Sequence, residues 1–257
     1  MKLEARYIAK PWGRTRLPSI FSPEPGARIG EIWFGSDPAL PLLAKYLFTS
    51  EKLSVQVHPS DDQAEARGLP RGKAECWYVL DAEADAKIGL GLRLPLTGEE
   101  LRDAALTGSI MDAIDWHPIR AGDFLYVPPG TIHAIGEGIS LLEVQQNSDI
   151  TYRLYDYGRP RQLHLDDAIA VSDVSPYPEE LFQHISDGEE MVLVDGPKFT
   201  LVHSSSDQLR DRTRWILPLE GNARCNGETA SAGECLLLDP GDRLEADDAR
   251  LLIAAAC

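Results

Sequence analysis

The feature that most constrains the fold is a series of short apolar runs, rich in β-branched and aromatic residues and separated by Gly, Pro, Asp or Asn. Runs of this length that end at turn-forming residues are typical of β-strands. Examples are KLSVQVH, CWYVL, DFLYVPP, GISLLEVQ, EMVLVDG, KFTLVHS and TRWILPLEG. The pattern predicts a mainly β chain folded as a sandwich or a barrel.

Helix signals are few and short. In TGEELRDAALTG, Thr97 and Glu100 form a capping box ahead of an apolar face, and a further helical turn is predicted at residues 110–114. Residues 97–116 are therefore a predicted helical insertion, and HLDDAIAVS predicts another short helix. The stretch SDVSPYPEELFQ is typical of a connection between two β units. We expect one domain over residues 1–175 and a smaller β domain over residues 186–257.

The charge and hydropathy of the chain indicate which kinds of partner it is not expected to bind. The chain has 41 acidic and 25 basic residues and a formal net charge of −16, which argues against nucleic acid and anionic membranes as partners. No apolar run is long enough to span a membrane, and the stretch MKLEARYIAKPWG lacks the apolar segment of a secretory signal. We therefore expect a cytoplasmic protein. A phosphate site would need a local basic cluster to overcome the negative charge.

Potential metal ligands occur in three separate stretches: Gln56 and His58 in LSVQVHP, Glu75 in GKAECWYVL and His133 in VPPGTIHAI. Side chains alternate along a strand, so Ser54, Gln56 and His58 are expected on one face. Lys73 and Glu75 share a face for the same reason, which puts an ammonium group beside the carboxylate. Two imidazoles, a carboxylate and an amide oxygen suit zinc with room for substrate oxygens, and would also take Mn, Fe or Co.

Each of these residues alone is more often structural or solvated than a ligand. The specific signal is the combination and its order, Q-x-H, then Glu, then P-x-G-x-x-H, and convergence of these residues would make one metal site. If the four did not converge, the chain would be an acidic β-rich protein of unknown purpose. The remaining histidines have no ligand partner at a suggestive spacing and are interpreted as structural: His117, His164, His184 and His203.

A weak internal repeat relates the two halves of the chain. AGDFLYVPPG (121–130) and AGECLLLDPG (232–241) are identical at five of ten positions. If the repeat is real, Leu244 stands where His133 stands, and alignment of Trp77 with Trp215 puts Thr213 opposite Glu75. The second unit would then be a β module without metal. The alternative is a common hairpin pattern that arose twice.

The order of the motifs Q-x-H-P, G-K-x-E-x-W-Y, P-x-G-x-x-H-A-I and E-V-Q-Q-N-S-D-x-T-Y-R-x-Y-D resembles type I mannose-6-phosphate isomerase, a zinc enzyme of the cupin superfamily. Here they occupy residues 56–59, 72–78, 128–135 and 143–156, and the resemblance covers roughly residues 8–172. It implies a cupin fold, a jelly-roll β-barrel, for the first domain, with a smaller metal-free β unit after it. The chain is short for this family, whose larger members carry an extra helical domain.

The resemblance also assigns residues to roles. It implies one zinc ion per chain, bound by Gln56, His58, Glu75 and His133. It further implies that Arg153 is the active-site arginine, since a guanidinium can hold an anionic oxygen bidentately. Strand alternation puts Thr151, Arg153 and Tyr155 on one face, and a structural salt bridge is the alternative for the arginine. Ser54 and Lys73 resemble substrate-contacting positions. Lys45 is a weaker candidate for phosphate, and a solvated lysine is the simpler interpretation.

The implied activity is metal-dependent aldose–ketose isomerisation of mannose 6-phosphate and fructose 6-phosphate through an enediol intermediate. Glu143 and Lys73 are the candidate general bases, and the sequence does not choose between them. One alternative is an isomerase of another sugar or sugar phosphate, because basic residues available for phosphate are few. Another is a non-catalytic sugar-binding cupin. Arg153 and Lys73 favour catalysis, because metal or sugar binding alone does not require them. The oligomeric state is not predicted.

Overall fold

Antiparallel strands make up most of the regular secondary structure of the described residues, which confirms the predicted mainly β class. The computed structural model describes residues 1–35, 40–186 and 188–257. The strands are β1 (Ala5–Arg14), β2 (Ile29–Phe34), β3 (Leu42–Phe48), β4 (Val55–Val57), β5 (Glu75–Ala82), β6 (Lys87–Leu92), β7 (Ile114–Pro118), β8 (Asp123–Val127), β9 (His133–Ile135), β10 (Ile139–Gln146), β11 (Tyr152–Tyr155), β12 (Phe182–His184), β13 (Met191–Asp195), β14 (Phe199–Ser204), β15 (Arg214–Cys225), β16 (Glu228–Ser231), β17 (Leu236–Leu238) and β18 (Glu245–Ala256). The helices are α1 (Asp61–Glu65), α2 (Gly98–Thr107), α3 (Ile110–Ala113) and α4 (Leu165–Val171), with a 3-10 turn at Glu179–Leu181.

The described residues form two compact units. The first contains Met1–Leu47, Leu142–Asn147 and His184–Cys257, and the second contains Phe48–Leu141 and Ser148–Gln183. Within the first unit, the N-terminus is tied to β17, since the Leu3 amide donates to the Cys235 carbonyl at 2.9 Å. The division into a domain over residues 1–175 and a smaller β domain over residues 186–257 stays a prediction.

The second unit contains a five-stranded sheet in the order β11-β4-β9-β6-β7, and β5 pairs with β8. One face of the sheet packs against the helices through an apolar cluster that includes Val55 and Val57 of β4 and Leu101 of α2. Successive side chains of a strand point to opposite faces. Gln56, between the two valines, therefore points to the face of the sheet that the helices leave open.

Local sequence signals explain where the helices begin and end. The predicted capping box opens α2: the Glu100 amide donates to Thr97 Oγ1 at 3.2 Å, and Glu100 Oε2 accepts from the Thr97 amide at 2.8 Å. The predicted insertion is helical only as far as Ala113. Residues 114–116 instead begin β7, because Ile114 pairs with Leu92 of β6 and is fully buried.

The first unit contains a second sheet, in the order β13-β14-β18-β15-β16, with β17 paired to β15. In the same unit β1, β2 and β3 pair in sequence as antiparallel neighbours. In the part of the chain that is described, no helix is both long enough and apolar enough to cross a membrane.

The internal repeat has the same local structure in both copies. The Asp123 carboxylate accepts from the Arg120 amide at 2.8 Å, and the Glu234 carboxylate accepts from the Ser231 amide at 3.0 Å. The glycines at both ends of the repeat have positive φ angles: Gly122 87°, Gly130 90°, Gly233 89° and Gly241 87°. Matching turns are what a repeat predicts, and the repeat stays a prediction because a common hairpin pattern has the same turns.

The strand register corrects one predicted equivalence within the repeat. Val127 pairs with Glu75, whereas the equivalent Leu238 pairs with Arg214. Arg214, and not Thr213, therefore occupies the position of Glu75. The prediction was wrong because it aligned two tryptophans that differ by one residue in register. A guanidinium thus stands in the second copy where the first has a carboxylate.

Candidate functional site

A row of three polar side chains crosses the open face of the five-stranded sheet. Gln56 of β4 pairs directly with His133 of β9 on one side and with Arg153 of β11 on the other. Residues paired directly across antiparallel strands point to the same face. The Gln56 amide nitrogen lies 3.2 Å from His133 Nε2. The sheet itself therefore brings Arg153 to the same face as two predicted metal ligands.

Two further predicted ligands complete the cluster. His58 follows the last residue of β4, and Glu75 is the first residue of β5. Glu75 Oε1 lies 3.2 Å from His133 Nε2, and Glu75 Oε2 lies 3.5 Å from His58 Nε2. One ligand atom from each of these three residues lies within 4.8 Å of the other two, and all three residues are buried. The predicted convergence is confirmed for the three residues and extends to Gln56.

Backbone carbonyls fix the orientation of both imidazoles. His58 Nδ1 lies 2.7 Å from the Ile150 carbonyl oxygen, and His133 Nδ1 lies 2.9 Å from the Thr131 carbonyl oxygen. A carbonyl only accepts, so each Nδ1 carries the proton and each Nε2 presents a lone pair towards Glu75. Metal-binding histidines are commonly oriented in this way. The donor set therefore fits a divalent metal ion.

Burial and one lysine set the charges of the cluster. Burial, with the nearby Lys73 ammonium, lowers the pKa of His58 to about 3, and burial also lowers the pKa of His133. Burial raises the pKa of Glu75, but Lys73 and the two histidines lower it by more, so the pKa lies well below its ordinary value. Near neutral pH the site therefore offers two neutral imidazoles and one carboxylate.

Lys73 lies where strand alternation predicted, beside the carboxylate. Its Nζ is 2.7 Å from Glu75 Oε2 and 3.2 Å from His58 Nε2. The Ser54 hydroxyl donates to the side-chain amide oxygen of Gln56 at a distance of 3.1 Å. A half-turn of the Gln56 amide exchanges its oxygen and nitrogen, which leaves Ser54 bonded and turns an oxygen towards His133. Glutamine can thus contribute an oxygen ligand to the cluster.

Arg153 lies on the open face through its pairing with Gln56, and an irregularity in β11 follows it. The register shifts between Arg153 and Tyr155, so Tyr155 pairs with Val55 and packs in the apolar cluster. The prediction that Arg153 and Tyr155 share a face was wrong, because a bulge adds one residue between them. Arg153 is half-buried, and its Nε finds no hydrogen-bond partner among the described residues. No carboxylate in the described ranges forms an ion pair with it, which weighs against a structural salt bridge.

Two other predicted site residues lie in the first unit and pair with each other. Lys45 Nζ is 3.2 Å from Glu143 Oε1, and both side chains are buried. The interpretation of Lys45 as a solvated lysine was therefore wrong. Substrate binding by Lys45 and proton transfer by Glu143 stay predictions.

The groups that orient the ligand side chains could not be identified from sequence patterns. The carbonyl groups of Ile150 and Thr131 hold the imidazoles, and every residue has such a group, so no side-chain pattern marks them. The helix α1, which follows His58, also went unpredicted, although Ser60 and Gln63 form a capping box that signals it.

Comparison with known proteins places this site in context. No family model matches the chain. It is 41% identical over 182 residues to the mannose-6-phosphate isomerase ManA of Bacillus subtilis (strain 168), a match that covers 65% of this chain and 58% of that protein. The crystal structure of the mannose 6-phosphate isomerase from Bacillus subtilis superposes with a TM-score of 0.80 and 25% identity over 98% of each chain. The chain resembles mannose-6-phosphate isomerases. The resemblance inferred from the motifs is thereby confirmed.

The likeness extends to the fold of a zinc-bound structure. A solved mannose 6-phosphate isomerase with zinc bound has a TM-score of 0.77 at 15% identity and covers 99% of this chain, which shows a shared fold. The sequence matches cover 52–62% of the lengths of the curated mannose-6-phosphate isomerases. The matches thus span little more than half of each relative's length.

Proposed function

We propose that this protein is a metal-dependent aldose–ketose isomerase that interconverts mannose 6-phosphate and fructose 6-phosphate through an enediol intermediate. The observation that carries the proposal is the arrangement of Arg153, Gln56 and His133 in one row, beside the buried pair of His58 and Glu75. A metal-ligand cluster with a guanidinium on the same face suits chemistry in which negative charge develops on oxygen. The names of the relatives support a sugar phosphate as the substrate.

The residues proposed to hold one zinc ion per chain are Gln56, His58, Glu75 and His133. Their fit rests on the two Nε2 lone pairs, the ionised Glu75 carboxylate and the amide of Gln56. Zinc bound there would act as a Lewis acid that stabilises negative charge on the sugar oxygens. The site is mixed in nitrogen and oxygen donors, so the same residues would also accept Mn, Fe or Co.

The chain's own residues would bind and orient the open-chain sugar. Arg153 has a planar set of donors that can hold an anionic oxygen in two hydrogen bonds. Ser54 and Lys73 are proposed to contact substrate at the edge of the cluster, and Lys45 to contact phosphate. The proton that moves between C2 and C1 needs a base within hydrogen-bond reach of both carbons. Glu143 and Lys73 are the proposed bases.

A second candidate function is isomerisation of a different sugar or sugar phosphate. Two observations favour it: the net charge of −16 opposes an anionic substrate, and Lys45 is already paired with Glu143. A non-catalytic sugar-binding role is disfavoured, because neither metal nor sugar binding requires a half-buried arginine without an ion pair among the described residues.

The test is a coupled isomerase assay with mannose 6-phosphate, fructose 6-phosphate and unphosphorylated mannose, combined with metal analysis. We expect turnover of both phosphorylated sugars, loss of turnover with a chelator, and recovery with zinc. The Arg153→Ala variant should keep zinc and fold but lose turnover by orders of magnitude. Stoichiometric zinc without turnover of mannose 6-phosphate would contradict the proposal, and turnover of another sugar would then support the second function.

A further inference from the structure

The backbone of Arg153 is held by a histidine that lies outside the sheet. The Arg153 amide donates to His164 Nδ1 at 3.2 Å, and the His164 amide donates to the Arg153 carbonyl oxygen at 2.9 Å. His164 is the residue immediately before α4, and its ring is half-buried. Both polar backbone groups of Arg153 are thus satisfied by a single residue.

The geometry of the sheet explains why such a partner is needed. Among the described strands, β11 lies at the edge of its sheet, with β4 on one side and no strand on the other. In an antiparallel ladder, the amide and carbonyl of a residue point towards the same neighbour, and those of Arg153 point to His164, away from β4. Arg153 and Gln56 therefore form a non-hydrogen-bonded pair, in which side chains approach most closely. His164 substitutes for a missing strand at the position where the β11 register shifts.

The other end of α4 is tied to the turn that leads into β9. The Asp173 amide donates to the Gly130 carbonyl at 2.8 Å, and Asp173 also forms a bridge with Thr131. Residues 164–173 therefore connect the strand of Arg153 to the turn before His133. Salt bridges from Arg67 to Asp167 (3.1 Å) and from Arg102 to Asp166 hold the first turn of α4. A segment anchored at both ends can restrain both sides of the cluster.

The tautomer of His164 must be opposite to that of the metal-site histidines. Nδ1 can accept from the Arg153 amide only if it carries a lone pair, which places the proton on Nε2. His58 and His133 instead carry the proton on Nδ1. Burial, and then the charge of Arg153, lowers the pKa of His164, which favours the neutral ring that this contact requires.

We propose that His164 is a positioning residue, which fixes the backbone of Arg153 so that the guanidinium stays in the row with Gln56 and His133. The inference rests on the proposed function, in which Arg153 acts on the substrate. Among the described residues, no hydrogen bond joins His164 to a predicted metal ligand or to the guanidinium of Arg153. Its effect on turnover is therefore indirect, through the placement of one side chain.

The kinetic test compares His164→Ala with His164→Asn in the zinc-loaded protein. Alanine removes the acceptor, whereas the asparagine oxygen can replace Nδ1. We expect alanine to lower kcat by about 10- to 100-fold with KM and zinc content nearly unchanged, because small misplacements of a catalytic group have effects of this size. Asparagine should restore most of the turnover. His184→Ala, an exposed histidine, is the matched control. Equal loss in both His164 variants, or no loss in alanine, would overturn the proposal.

A spectroscopic test does not depend on turnover. Long-range proton–nitrogen NMR correlations of the histidine rings report which nitrogen carries the proton. We expect His164 as the Nε2–H tautomer, and slow exchange of the Arg153 amide in the wild type and in His164→Asn but not in His164→Ala. An Nδ1–H tautomer for His164 would overturn the proposal. A wild type that shows this tautomer and slow exchange but no isomerase activity would refute the proposed function and leave the positioning contact established.

Discussion

At the scale of single residues, each ligand of the cluster is oriented by a second group. Carbonyls hold the two imidazoles, Lys73 holds Glu75 at 2.7 Å, and Ser54 holds the Gln56 amide at 3.1 Å. Loss of a group that orients a ligand typically costs about 10- to 100-fold in metal affinity or activity. The Ser54 hydroxyl is the one contact of this kind that a mild substitution can remove.

We predict that Ser54→Ala weakens zinc binding by about 10-fold, a typical effect of removing a group that orients a ligand. The amide of Gln56 then loses the hydrogen bond that fixes its rotation. The measurement is competition for zinc against a chromophoric chelator. Ser54→Thr, which keeps the hydroxyl, is the control. If zinc affinity is unchanged while KM rises, Ser54 contacts the substrate directly and does not act through Gln56.

A second residue-scale prediction concerns acid stability in the first unit. Burial raises the pKa of Glu31, but Lys45, Lys10 and a hydrogen bond from Trp33 lower it by more, so it lies below the ordinary value of 4.5. A carboxyl group with a depressed pKa stabilises the fold above its unfolded-state pKa, and that stabilisation is lost as pH falls. Glu31→Gln should therefore destabilise the protein near pH 7. Below pH 4.5 the free energy of unfolding of the variant should fall less steeply with pH than that of the wild type, with a difference in slope of up to about 1.4 kcal/mol per pH unit.

The measurement for Glu31 is denaturant unfolding as a function of pH. Glu24→Gln, at an exposed glutamate, is the control and should leave the pH profile unchanged. Parallel profiles for wild type and Glu31→Gln below pH 4.5 would show that this carboxyl group is not linked to folding.

At the scale of elements, strand alternation predicted the site well where strands are regular. Gln56 of β4 points to the predicted face, and Lys73, just before β5, lies beside Glu75 as predicted. Alternation failed at β11, because a bulge changes the face of Tyr155 and leaves no mark in the residue types. The alignment of Trp77 with Trp215 misplaced Thr213, because register depends on pairing across the sheet and not on the strand's own pattern. The mainly β class and the order of the ligand motifs could therefore be predicted from the sequence. The pairing register of individual strands could not.

The register correction gives Arg214 a clear structural role. Its side chain is fully buried and donates five hydrogen bonds, two to Asp207 and three to the carbonyls of Arg212, Asp239 and Asp242. In the first copy of the motif, the equivalent Glu75 belongs to the candidate metal site. In the second copy, a guanidinium satisfies the turn carbonyls and one carboxylate directly.

We predict that Arg214→Met destabilises the protein by about 3–5 kcal/mol, because it leaves a carboxylate without its buried partner. Asp207→Asn should be milder, since the arginine keeps its three carbonyl contacts. Zinc affinity should be unchanged in both variants. Thermal and denaturant unfolding measure the loss. A change below about 1 kcal/mol for Arg214→Met, the usual range of exposed ion pairs, would contradict this role.

At the scale of the whole molecule, the candidate site draws its residues from strands that are distant in sequence. Gln56 and His133 lie 77 positions apart and meet through strand pairing, and Glu75 reaches them from β5, which pairs with β8. Metal binding should therefore be coupled to folding, because the unfolded chain cannot present the same ligands together. The free energy of unfolding should rise with the concentration of free zinc.

We predict that free zinc at 100 times its dissociation constant stabilises the wild type by about 2.7 kcal/mol, as mass action requires for a ligand that binds only the folded state. A chelator should lower the midpoint of thermal unfolding, and added zinc should restore it. His133→Ala should abolish the response, because it removes one of the Nε2 donors. Arg214→Met should start from a lower midpoint but keep the full response, which separates loss of stability from loss of the site. If zinc raises the midpoint of His133→Ala as much as that of the wild type, the stabilising ion binds elsewhere, and the cluster on β4, β5 and β9 is not the metal centre.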